Sequence, residues 1–349
     1  MKGTSVRRMI AALAATTVGL GLPVVLASSA SADITAPAQN AVLRGTVTLS
    51  ASGATDSGTA CVGASSPYTQ LQLRVPGGAE VFTNTQNGTG AKSVQVDTHA
   101  YPNGAYVARA IERNRSGFLY CPTSDKTTDR SVTIDNVTAL SYTGATAGAQ
   151  NTSVTVSAKL TDPNLATSVL PSRVVTFSLS GGTSVNGTTD ANGVATATLP
   201  VAGPPRTASL TASFAQTAYY KGSTAQVSFD VQKNASTTTV VQPTPVVHGE
   251  AASFTAQVAA TNGTSTPTGT VQFTIDGDDF GAPVPITGGA ASSGSIASLS
   301  TGNHTIGARY SGDANVAAST AATKQLTVGK APTSTVLTST GSQIGRAHV

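Results

Sequence analysis

The sequence predicts an all-β protein built from tandem β-sandwich units, and three observations carry that prediction. Helix formers are scarce: only three Glu (Glu80, Glu112, Glu250) occur in 349 residues, against abundant Thr, Val, Ser and Gly, a balance that favours strands. Apolar residues alternate with polar ones in short runs, as on half-buried strands. The chain also repeats itself. Val175-Thr176-Phe177-Ser178-Leu179 returns 96 residues later as Val271-Gln272-Phe273-Thr274-Ile275. At the same offset Asn192 to Ala195 matches Gly288 to Ala291, Ala212-Ser213-Phe214 matches Ala308-Arg309-Tyr310, and Ser223-Thr224-Ala225 matches Ser319-Thr320-Ala321. One spacing held this long marks two homologous units in tandem.

Residues 1–32 read as a secretory signal. Lys2, Arg7 and Arg8 precede an apolar stretch from Met9 to Leu26, and Ala30-Ser31-Ala32 supplies small residues for cleavage before Asp33. Gly19, Gly21 and Pro23 weaken a spanning helix, and no later stretch reaches the ~18 apolar residues that one needs. The expectation is a secreted or cell-surface protein with no membrane span after cleavage. Without the three basic leader residues the chain carries 17 basic against 16 acidic side chains, a net charge of +1. No basic run or stripe is present, so a nucleic-acid partner is not expected.

Residues 33–135 form a first unit that lacks the 96-residue match, followed by the repeats at 136–233 and 236–330. In the second unit Val154/Val156/Ala158/Leu160, Val175/Phe177/Leu179, Val194 to Leu199, Leu210/Ala212/Phe214 and Val227/Phe229/Val231 read as strands. The third repeats this with Phe254/Ala256/Val258, Val271/Phe273/Ile275, Ile296 to Leu299, Ile306/Ala308/Tyr310 and Leu326/Val328. Asn186-Gly187, Asn192-Gly193 and Asp276-Gly277 read as turns. Seven or so short strands in about 100 residues is a sandwich pattern. Linkers of five to seven residues, around Lys233 and Lys330, predict a semi-rigid rod.

After Lys330 the phrase Thr333-Ser334-Thr335-Val336 restarts the pattern, so 331–343 is expected to open a further, truncated repeat. Ile344 to Val349 does not continue it. That hexapeptide back-translates as ATC GGA AGA GCA CAC GTC, a sequencing-adapter read, and 344–349 is expected to be an assembly artefact.

No chemistry-bearing constellation stands out, and no cofactor or metal is expected. G-x-S-x-G is missing. His99, His248 and His304 each adjoin Gly or Pro turn signals and read as solvated turn residues rather than bases for a nucleophile. The acidic cluster Asp276-Gly277-Asp278-Asp279 lacks the spacing of a calcium loop and reads as a hairpin turn. N-x-S/T sites such as Asn87, Asn114, Asn136, Asn151, Asn186, Asn234 and Asn262 follow from the Thr/Ser/Asn-rich composition. Cys61 and Cys121 are the only cysteines, and in an exported chain they would pair. Closing a loop of that length restrains the unfolded chain by roughly 4 kcal/mol in the entropy model.

In residues 236–330 the opening Ser-Thr-Thr-Thr-Val, the strand Pro267-Thr268-Gly269-Thr270-Val271-Gln272-Phe273 and the run Ala308-Arg309-Tyr310-Ser311-Gly312-Asp313 resemble bacterial Ig-like repeat domains of exported actinobacterial proteins. Residues 136–233 look like a relative, through Gly187 to Ala195. Residues 33–135 resemble another Ig-like type, through Gly45 to Ala51 and Asn103-Gly104-Ala105-Tyr106. The resemblance implies tandem immunoglobulin-like β-sandwich domains serving as a non-catalytic spacer or adhesive stalk. The alternative is the accessory region of a secreted, carbohydrate-active enzyme whose catalytic domain lies elsewhere.

An Ig-like arrangement would make Gly45 to Ser52 strand B, Leu71 to Val75 strand C and Ala105 to Arg113 strand F. Cys61 then falls in the B–C loop and Cys121 in the F–G loop, which gather at one end. Those loops would carry Tyr68, Arg115, Phe118 and Tyr120 as a candidate ligand-binding tip for a cell-surface glycan or protein, or as cover over the disulfide.

Overall fold

The computed structural model describes residues 33–56, 66–115, 123–165, 169–338 and 341. The leader 1–32, both cysteines, Phe118, Tyr120 and the tail 344–349 lie outside the described residues. Strands dominate; one three-residue 3-10 turn, Thr98–Ala100, interrupts them.

The first unit comprises β1 (Ile34–Ala36), β2 (Ala41–Leu43), β3 (Thr46–Ala51), β4 (Tyr68–Arg74), β5 (Glu80–Asn87), β6 (Lys92–Asp97), β7 (Gly104–Arg115) and β8 (Thr123–Ile134). They form two sheets, β1-β3-β6 and β2-β8-β7-β4-β5, in which only β2–β8 is parallel. Alternation builds the core between them. Tyr106, Ala108 and Ala110 of β7 turn inward onto Leu71, Leu73, Leu49 and Val96, and the residues between them face out.

The second unit has β9 (Ala139–Tyr142), β10 (Ala147–Ala149), β11 (Thr152–Thr161), β12 (Val174–Leu179), β13 (Ser184–Thr188), β14 (Val194–Val201), β15 (Arg206–Phe214) and β16 (Ser223–Gln232). Its sheets are β14-β11-β9 and β10-β16-β15-β12-β13, with β10 parallel to β16. The third has β17 (Ser236–Val240), β18 (Val246–Val247), β19 (Thr255–Ala260), β20 (Thr270–Ile275), β21 (Asp278–Pro285), β22 (Ala290–Ser292), β23 (Gly302–Tyr310), β24 (Ser319–Thr320) and β25 (Lys324–Gly329). It pairs as β17-β19-β22 and β18-β25-β23-β20-β21, with β24 on β23. All three units therefore share one Ig-like sandwich topology. In each, the opening segment is split between the two sheets, and its second half runs parallel to the last strand.

The 96-residue repeat is a repeat of core positions. Val175 and Val271, Phe177 and Phe273, and Ala212 and Ala308 are all at most 1% exposed. Phe177, Phe229, Phe254 and Phe273 are among the largest fully buried side chains, each worth roughly 2–3 kcal/mol of transfer free energy. The register slips by one residue late in the third unit. Phe214 faces Ser223 as Tyr310 faces Ser319, but Leu210 faces Val227 where Ile306 faces Lys324. This accounts for Phe229 and Val231 finding their counterparts at Leu326 and Val328.

Several local expectations need correction. Asn186-Gly187 is no turn; it lies inside edge strand β13, where a Cβ on Gly187 would sit 2.6 Å from the Thr196 carbonyl oxygen. The glycine serves a close approach between sheets. Ile296 to Leu299 supplies only a single bridge, Ile296 to Ala252. By contrast Asp276-Gly277 does turn the β20–β21 hairpin, with φ of 53° and 98° and Ile275 opposite Asp278, as a type I′ turn requires.

Candidate functional site

Strand direction locates the sites. In the first unit the twelve-residue strand β7 begins at Gly104, beside the second unit, and ends at Arg115. At about 3.3 Å per residue the two ends lie about 40 Å apart. One end is a junction and the other a tip.

At the tip, Asp56 bridges Arg115 in parallel, and Arg115 N donates to Thr55 O at 3.1 Å. The Arg115 guanidinium grips the Asp56 carboxylate, Nη2 to Oδ2 2.5 Å. Beneath them the buried Glu112 carboxylate accepts from Gly53 N (2.7 Å) and Ser52 Oγ (3.2 Å), while Asn114 Oδ1 accepts from Thr55 N (2.8 Å). Asp56 and Arg115, the last described residues before 57–65 and 116–122, are thus neighbours.

Tyr68 and Arg115 are not loop residues. Tyr68 opens β4 opposite Arg113, and Arg115 closes β7, because the alternating inward residues continue through Thr69 and Glu112, both buried, and extend each strand past its expected limit. The Arg113 guanidinium lies 5.0 Å over the Tyr68 ring and is held there by two contacts to Asp125, 2.7 and 2.6 Å. One ring face is therefore already taken. Arg109 and Asp129 repeat the pairing at 2.6 and 2.7 Å, and the arginine hydrogen bonds hold both aspartates below the usual carboxylate range. Phe118 and Tyr120, the other tip residues, are outside the described residues.

The junctions are the more fully built sites, and each closes on one asparagine. Asn136 is fully buried. Thr98 Oγ1 donates to its Oδ1 at 2.6 Å, and its Nδ2 donates to Thr98 O at 3.1 Å and Tyr219 O at 3.2 Å. Its backbone N donates to Asn103 Oδ1 (2.7 Å), and its O accepts from Lys221 N (2.9 Å). The neighbouring Asp135 meets Lys221 Nζ at 2.7 Å and Arg44 Nη2 at 2.6 Å, which together lower its carboxyl. Gly45 (φ 65°) comes so near that a Cβ would stand 2.6 Å from Asn164 O.

His99 corrects another expectation. Its side chain is only 9% exposed, and it bridges the units: Nδ1 is 2.6 Å from Asp97 Oδ1 and Nε2 is 2.7 Å from Asp162 Oδ2. The ring stacks on Tyr220 at 5.8 Å, and Arg173 covers Tyr220 at 5.3 Å. Burial raises the Asp97 carboxyl, but hydrogen bonds from the His99 backbone and ring outweigh it and hold the group low.

The second junction uses the same plan with no histidine or carboxylate side chain bonded across it; its ionisable contact is Lys233 Nζ, which donates to Asp313 O. Asn234, also fully buried, donates from its N to Asn315 O (2.9 Å) and from Nδ2 to Ser265 Oγ (2.8 Å), and its O accepts from Ala317 N (2.8 Å). Gln150 Nε2, from the second unit, reaches the same Asn315 O at 2.7 Å. Tyr219 and Asn315, whose carbonyls meet the two asparagines, are 96 residues apart. Asp313 shapes that loop: Oδ1 accepts from Asn315 N and Val316 N (2.7 Å each), Oδ2 from Thr268 N (2.7 Å) and Tyr310 OH (3.0 Å). Burial raises its carboxyl, but these bonds outweigh burial and hold it well below the usual range, while burial and Asp313 push Tyr310 up to about 12.

The third unit holds the other misjudged histidine. His304 is 8% exposed, with Nδ1 2.7 Å from Asp276 Oδ2 and Nε2 2.9 Å from Ser300 O. Asp276 raises the histidine and is itself lowered by it. His248 stays exposed, with Nδ1 2.8 Å from Leu299 O. Neither Asn136 nor Asn234 is accessible in the folded chain, so those two N-x-S/T sites are sealed. Among the described residues there is no group of three or more His, Cys, Asp or Glu side chains that could hold a metal, and no helix long and apolar enough to cross a membrane.

Fold and junctions define a class: tandem immunoglobulin-like sandwiches docked end to end. More specifically, residues 238–329 match the bacterial Ig-like domain (group 3) family. No curated protein matches the chain. Similar solved structures include one from a 1.5-MDa bacterial ice-binding adhesin, described for its host cell surface retention (18% identity, 83% of this chain, 95% of that one, TM-score 0.30). A tetra-tandem repeat from the extending region of a large adhesion protein is 18% identical over 83% of this chain and 74% of that one, TM-score 0.32. The adhesin InvE of Yersinia pseudotuberculosis is 16% identical over 54% of this chain and 59% of that one, TM-score 0.26. Likeness at this level extends to no ligand or partner.

Proposed function

We propose that this chain is a non-catalytic, extracellular spacer or adhesive stalk. Residues 1–32 would be its export signal, 33–135, 136–233 and 236–330 its rod-forming modules, and 331–343 the opening of another. One observation carries the reading: the middle unit is gripped at both ends of its long strands, through buried Asn136 at one and buried Asn234 at the other. Buried side chains that hydrogen-bond across the linkers set an angle between modules, which a flexible tether would not need.

The tip would be the recognition end, with a cell-surface glycan or protein as ligand. The Asp56–Arg115 bridge supports a Cys61–Cys121 disulfide there, because the last described residue before each cysteine is paired with the other. Negative-stain electron microscopy of the purified chain tests the spacer reading, with straight rods expected and globular or randomly bent particles counting against it. Tyr68→Ala with Tyr120→Ala tests the tip. Lost adhesion in a double variant that melts normally supports recognition there, and unchanged adhesion rejects it.

A further inference from the structure

We infer that the first junction is a proton-dependent latch centred on His99, which stiffens the stalk at mildly acidic pH, whereas the second junction is insensitive to pH. The inference rests on the spacer reading.

The geometry counts protons. Both ring nitrogens of His99 face carboxylate oxygens, at 2.6 Å on Asp97 and 2.7 Å on Asp162. Each contact needs a hydrogen to be a bond, and a neutral imidazole brings only one. A ring that is neutral between two ionised carboxylates would aim a lone pair at an oxygen. Water offers little relief, since Asp162 is 0% exposed and its Oδ1 is already occupied by Asn164 N (2.7 Å) and Asn164 Nδ2 (3.3 Å). The docked junction therefore holds one proton more than the separated one, as an imidazolium between two carboxylates. The other groups packed here are consistent with a cationic ring. Tyr220 stacks on it, Arg173 lies over the Tyr220 ring, and Tyr101 is close enough to feel the Asp97 charge. The remaining charged cluster at the junction, Asp135 with Arg44 and Lys221, is paired within itself.

The sign follows. A closed state that binds one extra proton is favoured as pH falls and disfavoured as pH rises, by at most about tenfold in the closed-to-open ratio per pH unit. The second junction has Asn234, Ser265, Gln150 and Asn315 where the first has Asp97, His99 and Asp162; its ionisable contact, Lys233 Nζ on Asp313 O, involves no histidine or carboxylate, and it acts as an internal reference.

The test is 15N relaxation on the purified whole chain at about pH 5.5 and about pH 8.5, with ring-nitrogen shifts reporting the His99 protonation state. The first and second units should tumble together at the lower pH and part at the higher one, while the second and third stay coupled throughout. Asp162→Asn offers Nδ2–H to a neutral ring while keeping the Asn164 contacts, and should leave the first junction closed at both pH values. His99→Phe keeps the ring stack and loses both bonds, so it should leave the junction loose at both. A first junction equally ordered at both pH values, a neutral His99 ring in the closed state, or an unaltered pH response in Asp162→Asn would each overturn the latch. Looseness of the second junction at both pH values would instead strike the spacer reading.

Discussion

Removing the Asn136 side chain should uncouple the first two units without unfolding either. In Asn136→Ala, Thr98 Oγ1 loses the acceptor at 2.6 Å, and Thr98 O and Tyr219 O lose the donor at 3.1 and 3.2 Å. Two of these bonds, both to Thr98, cross the junction; net values near 1 kcal/mol for each neutral bond put the loss there at about 2 kcal/mol, or roughly thirtyfold in the closed-to-open ratio. Thr98 Oγ1 can turn to Gly45 O at 2.9 Å, and Thr98 O keeps Tyr101 N at 3.1 Å, so the loss should not grow much beyond that. Asn234→Ala should cost less, about 1 kcal/mol. Its backbone contacts to Asn315 and Ala317 survive, and only the Ser265 bond goes. The assay is 15N relaxation beside thermal melting, with Asn87→Ala on β5 as control. Independent tumbling of the first unit with nearly unchanged melting is expected. Tumbling identical to the parent, or Asn234→Ala proving the more disruptive of the two, would refute the reasoning.

Asp313→Ala strips acceptors from Thr268, Asn315, Val316 and Tyr310 and should lower third-unit stability by about 3 kcal/mol in urea titration; a loss under about 1 kcal/mol would contradict the role given to that carboxylate. The His304–Asp276 pair should give the third unit a stability plateau in pH. The raised histidine contributes fully below its ordinary 6.5 and loses its contribution as pH climbs through its folded value. The lowered Asp276 contributes above 3.8 and fails as pH drops through its own. His304→Gln should remove the alkaline decline, and a parental melting profile above neutrality would count against the pairing. Gly187→Ala would drive a Cβ into the Thr196 backbone at 2.6 Å, at a cost of about 1–3 kcal/mol; a neutral effect on melting would show that β13 can move aside.

Architecture was legible because it is written in short-range alternation and in a repeat of core positions. Phe177 and Phe273 announce themselves at a fixed spacing, and both are buried. The junctions were not. His99, beside Pro102-Asn103-Gly104, looks like any turn histidine, and its second carboxylate, Asp162, lies 63 residues away on another unit. Asn136 and Asn234 looked like two more compositional N-x-S/T sites. One signal was present: both asparagines sit at unit boundaries, each followed by a Ser or Thr two residues on. Tyr68 and Arg115 were misplaced for a related reason. Buried polar residues, Thr69 and Glu112, continue the inward face of their strands, and an apolar pattern ends before the strand does.

Small-angle scattering from the purified chain bears most directly on the claim that docked junctions make a rod. Three units of about 40 Å end to end span about 120 Å, which for a uniform rod corresponds to a radius of gyration near 35 Å. A single compact body of about 300 residues would give a value near 19 Å. The account predicts the larger radius together with a sharply bounded distance distribution. A value near the compact figure, or the broad featureless distribution of freely jointed beads, would contradict it.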